Sequence, residues 1–564
     1  MQADSRKIIS ENIVADRSKL KIICVFLHRI YFGRIPYERQ YRGKKRKAMN
    51  ITELQQSYAS HPNVEGVCRL LKDNSVRHLY CGGLYASAAS LFSSVLVQRA
   101  TCPLVFILGD MEEAGYFYHD LTQILGTEQV LFFPSSFRRA IKYGQKDAAN
   151  EILRTEVLSR LQKGEEGLCV VTYPDALAEK VVSRKELGEN TLKLHAGERV
   201  DMNFVTDVLR SYGFEYVDYV YEPGQYAVRG SIIDVFSFSS EYPFRIDFFG
   251  DEVESVRTFE VETQLSKEKK ESIVIVPDLS HSLEKKGSGG MVSFLDFLPS
   301  DSLLAMRDFL WLRERIQTVH DESLTPQAIA ARESEENGAI TLEGKLIDGG
   351  EFTLRALDFR RMEFGNKPTG TPDATVSFHT TVQPIFHKNF DMVAESFREY
   401  LSRHYTIYIC SDSLKQTDRI RAIFEDRGDN ISFTAVERTL HEGFADDTLR
   451  ICVFTDHQLF DRFHKYNLKS DKARSGKVAL SLKELNQFTP GDYVVHTDHG
   501  VGRFAGLVRI PNGDTTQEVM KIVYQNRRCG VCLHPLFAQG FPSTRERRVK
   551  RPASTSSAPE LGRS

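Results

Sequence analysis

A multidomain α/β fold is predicted by three features of the sequence. Strand-like and helix-like segments alternate from about Met49 to Asn190. The apolar period then shifts toward two between about Thr191 and Pro277. Mixed α/β texture returns from about Asp278 to Phe378 and again over 379–463, ahead of a last β-rich stretch at 485–526. Alternation of strands with helices implies a parallel sheet covered by helices. The shift toward period two implies an antiparallel, β-rich insertion between two parts of one α/β domain.

The elements follow in order. Val76 to Cys81 is a short strand, and Ala86 to Ala100 a helix rich in small residues. Leu104 to Leu108 is an unbroken apolar run of the kind that forms a fully buried strand. Met111 to Leu125 continues as a helix, and Val130–Phe133 and Leu168–Thr172 as strands. In the insertion, Tyr226 to Phe236 and Phe244 to Phe249 partly alternate, punctuated by Gly230 and by Gly250-Asp251. Ser282 to Gly290 is polar and reads as a surface loop. Tyr405 to Cys410 is a strand, Ser413 to Asp426 a helix and Leu449 to Phe454 a strand. His464 to Val478 is charged and unpatterned, so 464–484 is read as a linker. Gly491 to His496, Gly502 to Ile510 and Val519 to Tyr524 form a small β-domain. From about Arg527 the alternation is lost and Arg, Ser and Pro accumulate, so 527–564 is expected to be a disordered or out-of-frame tail. Residues 1–48 are expected to be a disordered or spurious extension, with Met49 opening the folded part.

Composition narrows the function classes. The chain has 564 residues, and at roughly 100–200 residues per domain that implies about three to five domains. A formal charge of −2 excludes a polycation that coats nucleic acid. Nine scattered cysteines point to a reducing compartment rather than a disulfide scaffold. Cys529 and Cys532 make one CxxC with no second ligand pair, where zinc needs four ligands. His496 and His499 beside Asp498 lack zinc-helix spacing. No metal is therefore expected. The apolar run Leu20 to Phe32 is shorter than the roughly 18–20 residues of a membrane span, so no membrane association is expected. The basic tract Lys44 to Lys47 reads as solvated chain, the alternative being a nucleic-acid arm.

A phosphate loop is the first element of the sequence that could carry catalytic chemistry. Cys81 to Ser90 lies where one belongs, after a strand and before a helix. Such a loop needs a Lys for the β/γ-phosphates and a Ser or Thr for magnesium. Counting from Gly82 puts Ala88 at the Lys position, and counting from Gly83 puts Ala89 there; Ser90 keeps only the hydroxyl. The loop is thus degenerate, and no ATPase and no cofactor are expected in this chain. Arg229 and Arg245 stand in β segments among apolar neighbours. They read either as internal ion pairs with Asp247 or Glu252, with Phe249 in the core, or as a bidentate docking surface with Phe249 as its anchor.

The stretches Tyr221 to Phe236 and Phe244 to Arg257 closely resemble the excision-repair protein UvrB and the transcription-repair coupling factors. Phe488 to Gly506 resembles the CarD-like RNA-polymerase-interacting domain. The two modules in this order resemble the coupling-factor family over about Met49 to Asn526. UvrB keeps its P-loop, whereas the coupling factors have a degenerate one, and the stretch Phe133 to Tyr143 is too short for UvrB's DNA-clamping hairpin. The resemblance implies that 191–277 binds UvrA through Arg229, Arg245 and Phe249. It implies that the CarD-like part binds the RNA polymerase β subunit through an edge strand at Leu507, Val508 and Ile510. In the family, helicase-like motor domains follow, which use ATP and Mg to translocate on double-stranded DNA. No match to them occurs here, so this chain is expected to act as a monomeric, cytoplasmic bacterial adaptor with an incomplete CarD-like barrel. The competing expectation is a UvrB-like ATP-dependent damage-verification helicase.

Overall fold

A computed structural model describes residues 48–136, 148–261, 263–279, 290–323, 344–462, 466, 491, 493–496, 500–512, 515–523 and 529–533. The basic tract at Lys44, the segment after Ser136, most of the linker and the tail beyond Leu533 lie outside the described residues.

The first α/β unit begins with helices α1 (Ile51–Ala59) and α2 (Pro62–Leu70). Asn50 and Glu53 close a reciprocal capping box on α1, and Pro62 opens α2 at its first turn. Strand β1 (His78–Gly82) leads into α3 (Ser87–Arg99), β2 (Leu104–Ile107) into α4 (Met111–Leu125), and β3 (Val130–Phe133) precedes α5 (Ala148–Gln162) and β4 (Cys169–Thr172). Asp110 caps α4 by accepting from the Glu112 and Glu113 amides. Every residue of β2, β3 and β4 is buried, as expected of strands covered on both faces.

The chain then leaves this sheet for the β-rich insertion. Strands β5 (Gln225–Arg229), β6 (Ile232–Val235), β7 (Phe244–Phe249), β8 (Glu252–Phe259) and β9 (Ser266–Lys270) pair consecutively and antiparallel. Phe244, Ile246 and Phe248 of β7 point into a core with Tyr226, Ile233, Val235, Val253 and Val256. Arg245, Asp247 and Phe249 therefore face outward, because successive side chains alternate across a strand. The edge strand β9, Ser-Lys-Glu-Lys-Lys, is charged throughout, which disfavours edge-to-edge pairing.

After the insertion the chain returns to the first sheet with β10 (Leu303–Met306), β11 (Arg360–Gly365) and β12 (Ala374–Ser377). The completed sheet is parallel throughout, in the order β12-β1-β11-β10-β2-β4-β3. Strands from both sides of the insertion thus share one hydrogen-bonded layer.

The next α/β unit contains β13 (Thr380–Val382), β14 (Thr406–Ser411), β15 (Thr434–Glu437), β16 (Phe444–Asp446) and β17 (Ile451–Thr455), in the order β15-β14-β17-β16-β13. Its core gathers Val393, Phe397, Ile407, Ile409, Ile420 and Phe454. Finally β18 (Tyr493–His496), β19 (Gly500–Asn512), β20 (Thr515–Val523) and β21 (Cys529–Leu533) form an antiparallel meander. Strand β21 lies past the boundary that the sequence reading sets at Asn526: it pairs with β20 from Val519↔Leu533 to Val523↔Cys529.

Ile246 is fully buried whereas Phe249, on the same strand, is 79% exposed. Ile246→Ala should destabilise the insertion by about 2–5 kcal/mol, and Phe249→Ala by no more than about 0.5 kcal/mol. Urea titration followed by circular dichroism measures both, and equal losses would contradict the assigned faces.

Candidate functional site

The outward face of the β-rich insertion is organised by a buried acid. Asp234 is fully buried on β6, directly opposite Arg245 of β7 and Ala227 of β5. Arg245 grips it with a fork: Nε donates to Oδ1 at 2.7 Å and Nη2 to Oδ2 at 2.8 Å. Arg229 donates through Nη2 to the same Oδ2. An ionised carboxylate without partners is expensive to bury; here two guanidiniums satisfy it. Arg245 also donates from Nη1 to the Gln264 carbonyl at 3.1 Å, and its plane lies 4.6 Å from the Phe259 ring centre. The bond to Asp234 raises the already high pKa of Arg245, so its charge is permanent.

Arg229 is more open. Its side chain is 35% exposed against 15% for Arg245, and it lies 5.0 Å from the centre of the half-exposed Tyr219 ring. The ion pair foreseen with Asp247 or Glu252 is instead made with Asp234; Asp247 accepts from Arg257 and Ser255. Nor is Phe249 a core residue. It ends β7 ahead of a tight turn in which Gly250 takes a positive φ of 62°, and it projects into solvent. Arg229, Asp247 and their partners across β6 occupy one row of the sheet, and Phe249 lies one pleat beyond it. At roughly 4.8 Å between strands and 3.4 Å per residue, Arg229 and Phe249 are about 12 Å apart, within one small patch. Sequence reasoning missed Asp234 and Tyr219. The signal for Asp234 was present: a lone carboxylate inside the apolar run Ile232 to Phe236.

The loop between β1 and α3, where the sequence would place a phosphate loop, is held by contacts within the protein. Gly83 has φ 78°, and a Cβ there would sit 2.1 Å from the Phe378 carbonyl oxygen. Thr380 ties the loop down, donating from Oγ1 to the Gly83 carbonyl at 2.7 Å and accepting from the Tyr85 amide at 2.9 Å. At the start of α3, the Ser87 amide donates to the Glu442 carbonyl at 3.4 Å. The Ser87 and Ser90 hydroxyls both donate to Oδ2 of buried Asp120 on α4, at 2.6 and 2.9 Å. The His441 amide donates to Asp120 Oδ1 at 2.7 Å, and the Glu442 amide to Ser87 Oγ at 3.0 Å. Ala88 and Ala89 are buried in α3. The hydroxyl that would serve magnesium and the first helix amide are thus committed to a latch joining α3, α4 and the loop before β16.

Asp110, Glu112, Glu113, Asp120 and Glu442 line the adjoining cavity of about 420 Å³, facing Arg307. Arg307 is already paired with Glu113 at 2.6 Å. Such a lining repels a polyphosphate where a nucleotide site would attract one. Burial, above all, pushes the Asp120 carboxyl up to about 7, with nearby Glu442 adding to the rise and the Ser87, His441 and Ser90 bonds opposing it.

Leu507, Val508 and Ile510 lie on β19, opposite Met520, Val519 and Gln517 of β20. Strand β18 covers the other edge of β19 only from Gly500 to Arg503. Beyond Arg503 that edge has no strand partner among the described residues. The side chains of Leu507, Val508 and Ile510 lie outside the described residues. Among the described residues there is no cluster of three metal-ligating side chains and no helix long and apolar enough to cross a membrane.

Two family models match this chain: the UvrB interaction domain over residues 192–281, and the CarD-like/TRCF RID domain over residues 488–533. The first covers the sheet that carries Asp234, and the second covers β18 to β21. Proteins named transcription-repair-coupling factor align along most of the chain. Those of Staphylococcus aureus (strain bovine RF122 / ET3-1) and Bacillus subtilis (strain 168) are 23% and 22% identical over 507 and 521 residues. This chain is similar to the transcription-repair-coupling factors over most of its length. The alignments span 78% of this chain and 43% of each of these relatives, so the chain matches less than half of their length.

Asp120 binds its proton more tightly when folded than when unfolded, where a value near 4 applies. Its contribution to stability is therefore fully present below about pH 4 and is lost as pH rises toward about 7. Relative to Asp120→Asn, the wild type should lose stability across that window and stay level above it. Denaturation midpoints of both proteins between pH 4 and 8 test this; a constant difference would refute the shift.

Proposed function

We propose that this chain is a docking component of transcription-coupled nucleotide excision repair. Its β-rich insertion recruits UvrA through Arg229, Arg245 and Phe249. Its CarD-like sheet engages the β subunit of RNA polymerase by strand addition along β19 near Leu507 to Ile510. The observation that carries the first contact is the guanidinium pair held on Asp234 beside an exposed Phe249, within the segment matched by the UvrB interaction domain. Arg forks recognise carboxylates bidentately, and a projecting aromatic is the usual anchor of a protein interface. For the second contact, support comes from the edge of β19 beyond Arg503, which has no strand partner among the described residues and so suits pairing with an added strand.

The chain acts in this reading as a monomer in the bacterial cytoplasm and hydrolyses no ATP. Ala88 and Ala89 supply no charge for a phosphate, Ser87 and Ser90 are taken by Asp120, and the neighbouring cavity is acidic. ATP-driven translocation on double-stranded DNA, which the resemblance attaches to helicase-like motor domains, is assigned to parts of the coupling factors that this chain does not match. A UvrB-like damage-verification helicase is the poorer reading, for it needs the Lys that Ala88 or Ala89 replaces.

Arg229→Ala or Arg245→Ala should each weaken binding to UvrA by about 1–3 kcal/mol, the range for losing a charged hydrogen bond at an interface. Titration of UvrA onto the immobilised chain measures this, and unchanged affinity in both variants would refute the assignment. The purified chain should show no DNA-stimulated ATP turnover; measurable turnover would restore the helicase reading.

A further inference from the structure

The docking face carries a third guanidinium with no role so far. Arg257 of β8 stands directly opposite Arg245 of β7. Val256 and Thr258 on either side are buried, so alternation turns Arg257 to the same outward face as Arg245 and Asp247. The row of the sheet through these residues runs Ala227, Asp234, Arg245, Arg257, Lys269. Three cations in it meet one carboxylate.

Like charges directly opposite each other on a sheet repel, so the pair of arginines needs a cause. Locally each is held by its own acid. Asp234 takes Arg245, and Asp247 of the next row takes Arg257 through Nη2 while accepting from Ser255 Oγ at 2.7 Å. These acids leave Arg257 incompletely satisfied. Its Nε is buried and has no hydrogen-bond partner, although the side chain as a whole is 38% exposed. The exposed part of the guanidinium side chain is what an acceptor brought from outside can meet. At the end of β7, Phe249 projects two pleats beyond this row on the same outward face, with Glu252 opposite it as the acid that bounds the patch.

We infer that Arg257 is a further contact residue of the docking face, and that the occupant of this face is a protein surface presenting carboxylates around an apolar pocket. The carboxylates meet Arg229 and Arg257, the pocket receives Phe249, and Asp234 and Asp247 hold the guanidiniums in place. Charge complementarity and continuity with the face formed by Arg229, Arg245 and Phe249 argue for this occupant. The inference rests on the UvrA-docking reading given above.

The test uses the full chain and purified UvrA. Binding is measured by titration calorimetry for wild type, Arg257→Ala, Arg257→Lys and Arg257→Glu, with Lys185→Ala as a control. Lys185 is 83% exposed and lies on the helix Arg184–Glu189 of the α/β unit, so the control makes the same charge change elsewhere. Arg257→Ala should weaken binding about 5- to 30-fold, Arg257→Glu more, and Arg257→Lys less, while Lys185→Ala binds as wild type. The alanine variant should also show a shallower fall of affinity with salt, because one screened attraction is gone. Thermal midpoints are recorded in parallel. Wild-type affinity in Arg257→Ala, or a lowered midpoint with unchanged affinity in all three variants, overturns the inference. Absence of UvrA binding by the wild type overturns the docking reading itself.

Discussion

The buried carboxylate of Asp234 is the constraint on which the outward face of the β-rich insertion depends. Placed without partners in the middle of a sheet it would cost several kcal/mol, more than most domains have in reserve. Arg229 and Arg245 offset that cost from the two flanking strands, and in doing so they lose their conformational freedom. Long arginine side chains normally surrender much of that freedom only when a partner binds. Here folding has already ordered them, with the Tyr219 and Phe259 ring centres 5.0 and 4.6 Å from their guanidinium carbons. The surface is therefore preorganised, and Phe249 stands beside it fully available.

A second buried acid shapes the first α/β unit. In a nucleotide-binding loop the free amides and hydroxyls at the start of a helix await a phosphate. In this chain the Asp120 carboxyl accepts from the Ser87 and Ser90 hydroxyls and from the His441 amide, and the Glu442 amide donates to Ser87. These bonds form an internal latch between two α/β units. A parallel latch joins α1 and α2 to β16, where the Tyr58 hydroxyl donates to Asp446 at 3.1 Å and His61 lies 3.5 Å from the same carboxylate.

Much of this architecture was legible in residue order. The unbroken apolar run at Leu104 foretold a strand buried on both faces, and the structure buries every residue of Leu104–Ile107. The partial alternation read in Phe244 to Phe249 is realised in the structure as a strand whose buried and outward residues alternate. The partner of Arg245 was not legible, because sequence proximity favoured Asp247 and Glu252 while the antiparallel register brought Asp234 opposite. The strand Cys529–Leu533 was missed for a similar reason. Its short Cys-Gly-Val-Cys-Leu run has little intrinsic preference and becomes a strand only by pairing with β20.

By itself the sequence determined which segments alternate, which residues carry charge among apolar neighbours, and that no Lys stands in the phosphate loop. These are local properties, set by side-chain chemistry and the periods of helix and strand. Only the tertiary structure decided that Asp234 is shared by two arginines, that Asp120 gathers the Ser87 and Ser90 hydroxyls, and that Phe249 is exposed rather than packed. Each of those outcomes depends on groups brought together from distant strands, helices and loops. Burial and its electrostatic cost are set by such neighbours, and their order along the chain does not reveal them.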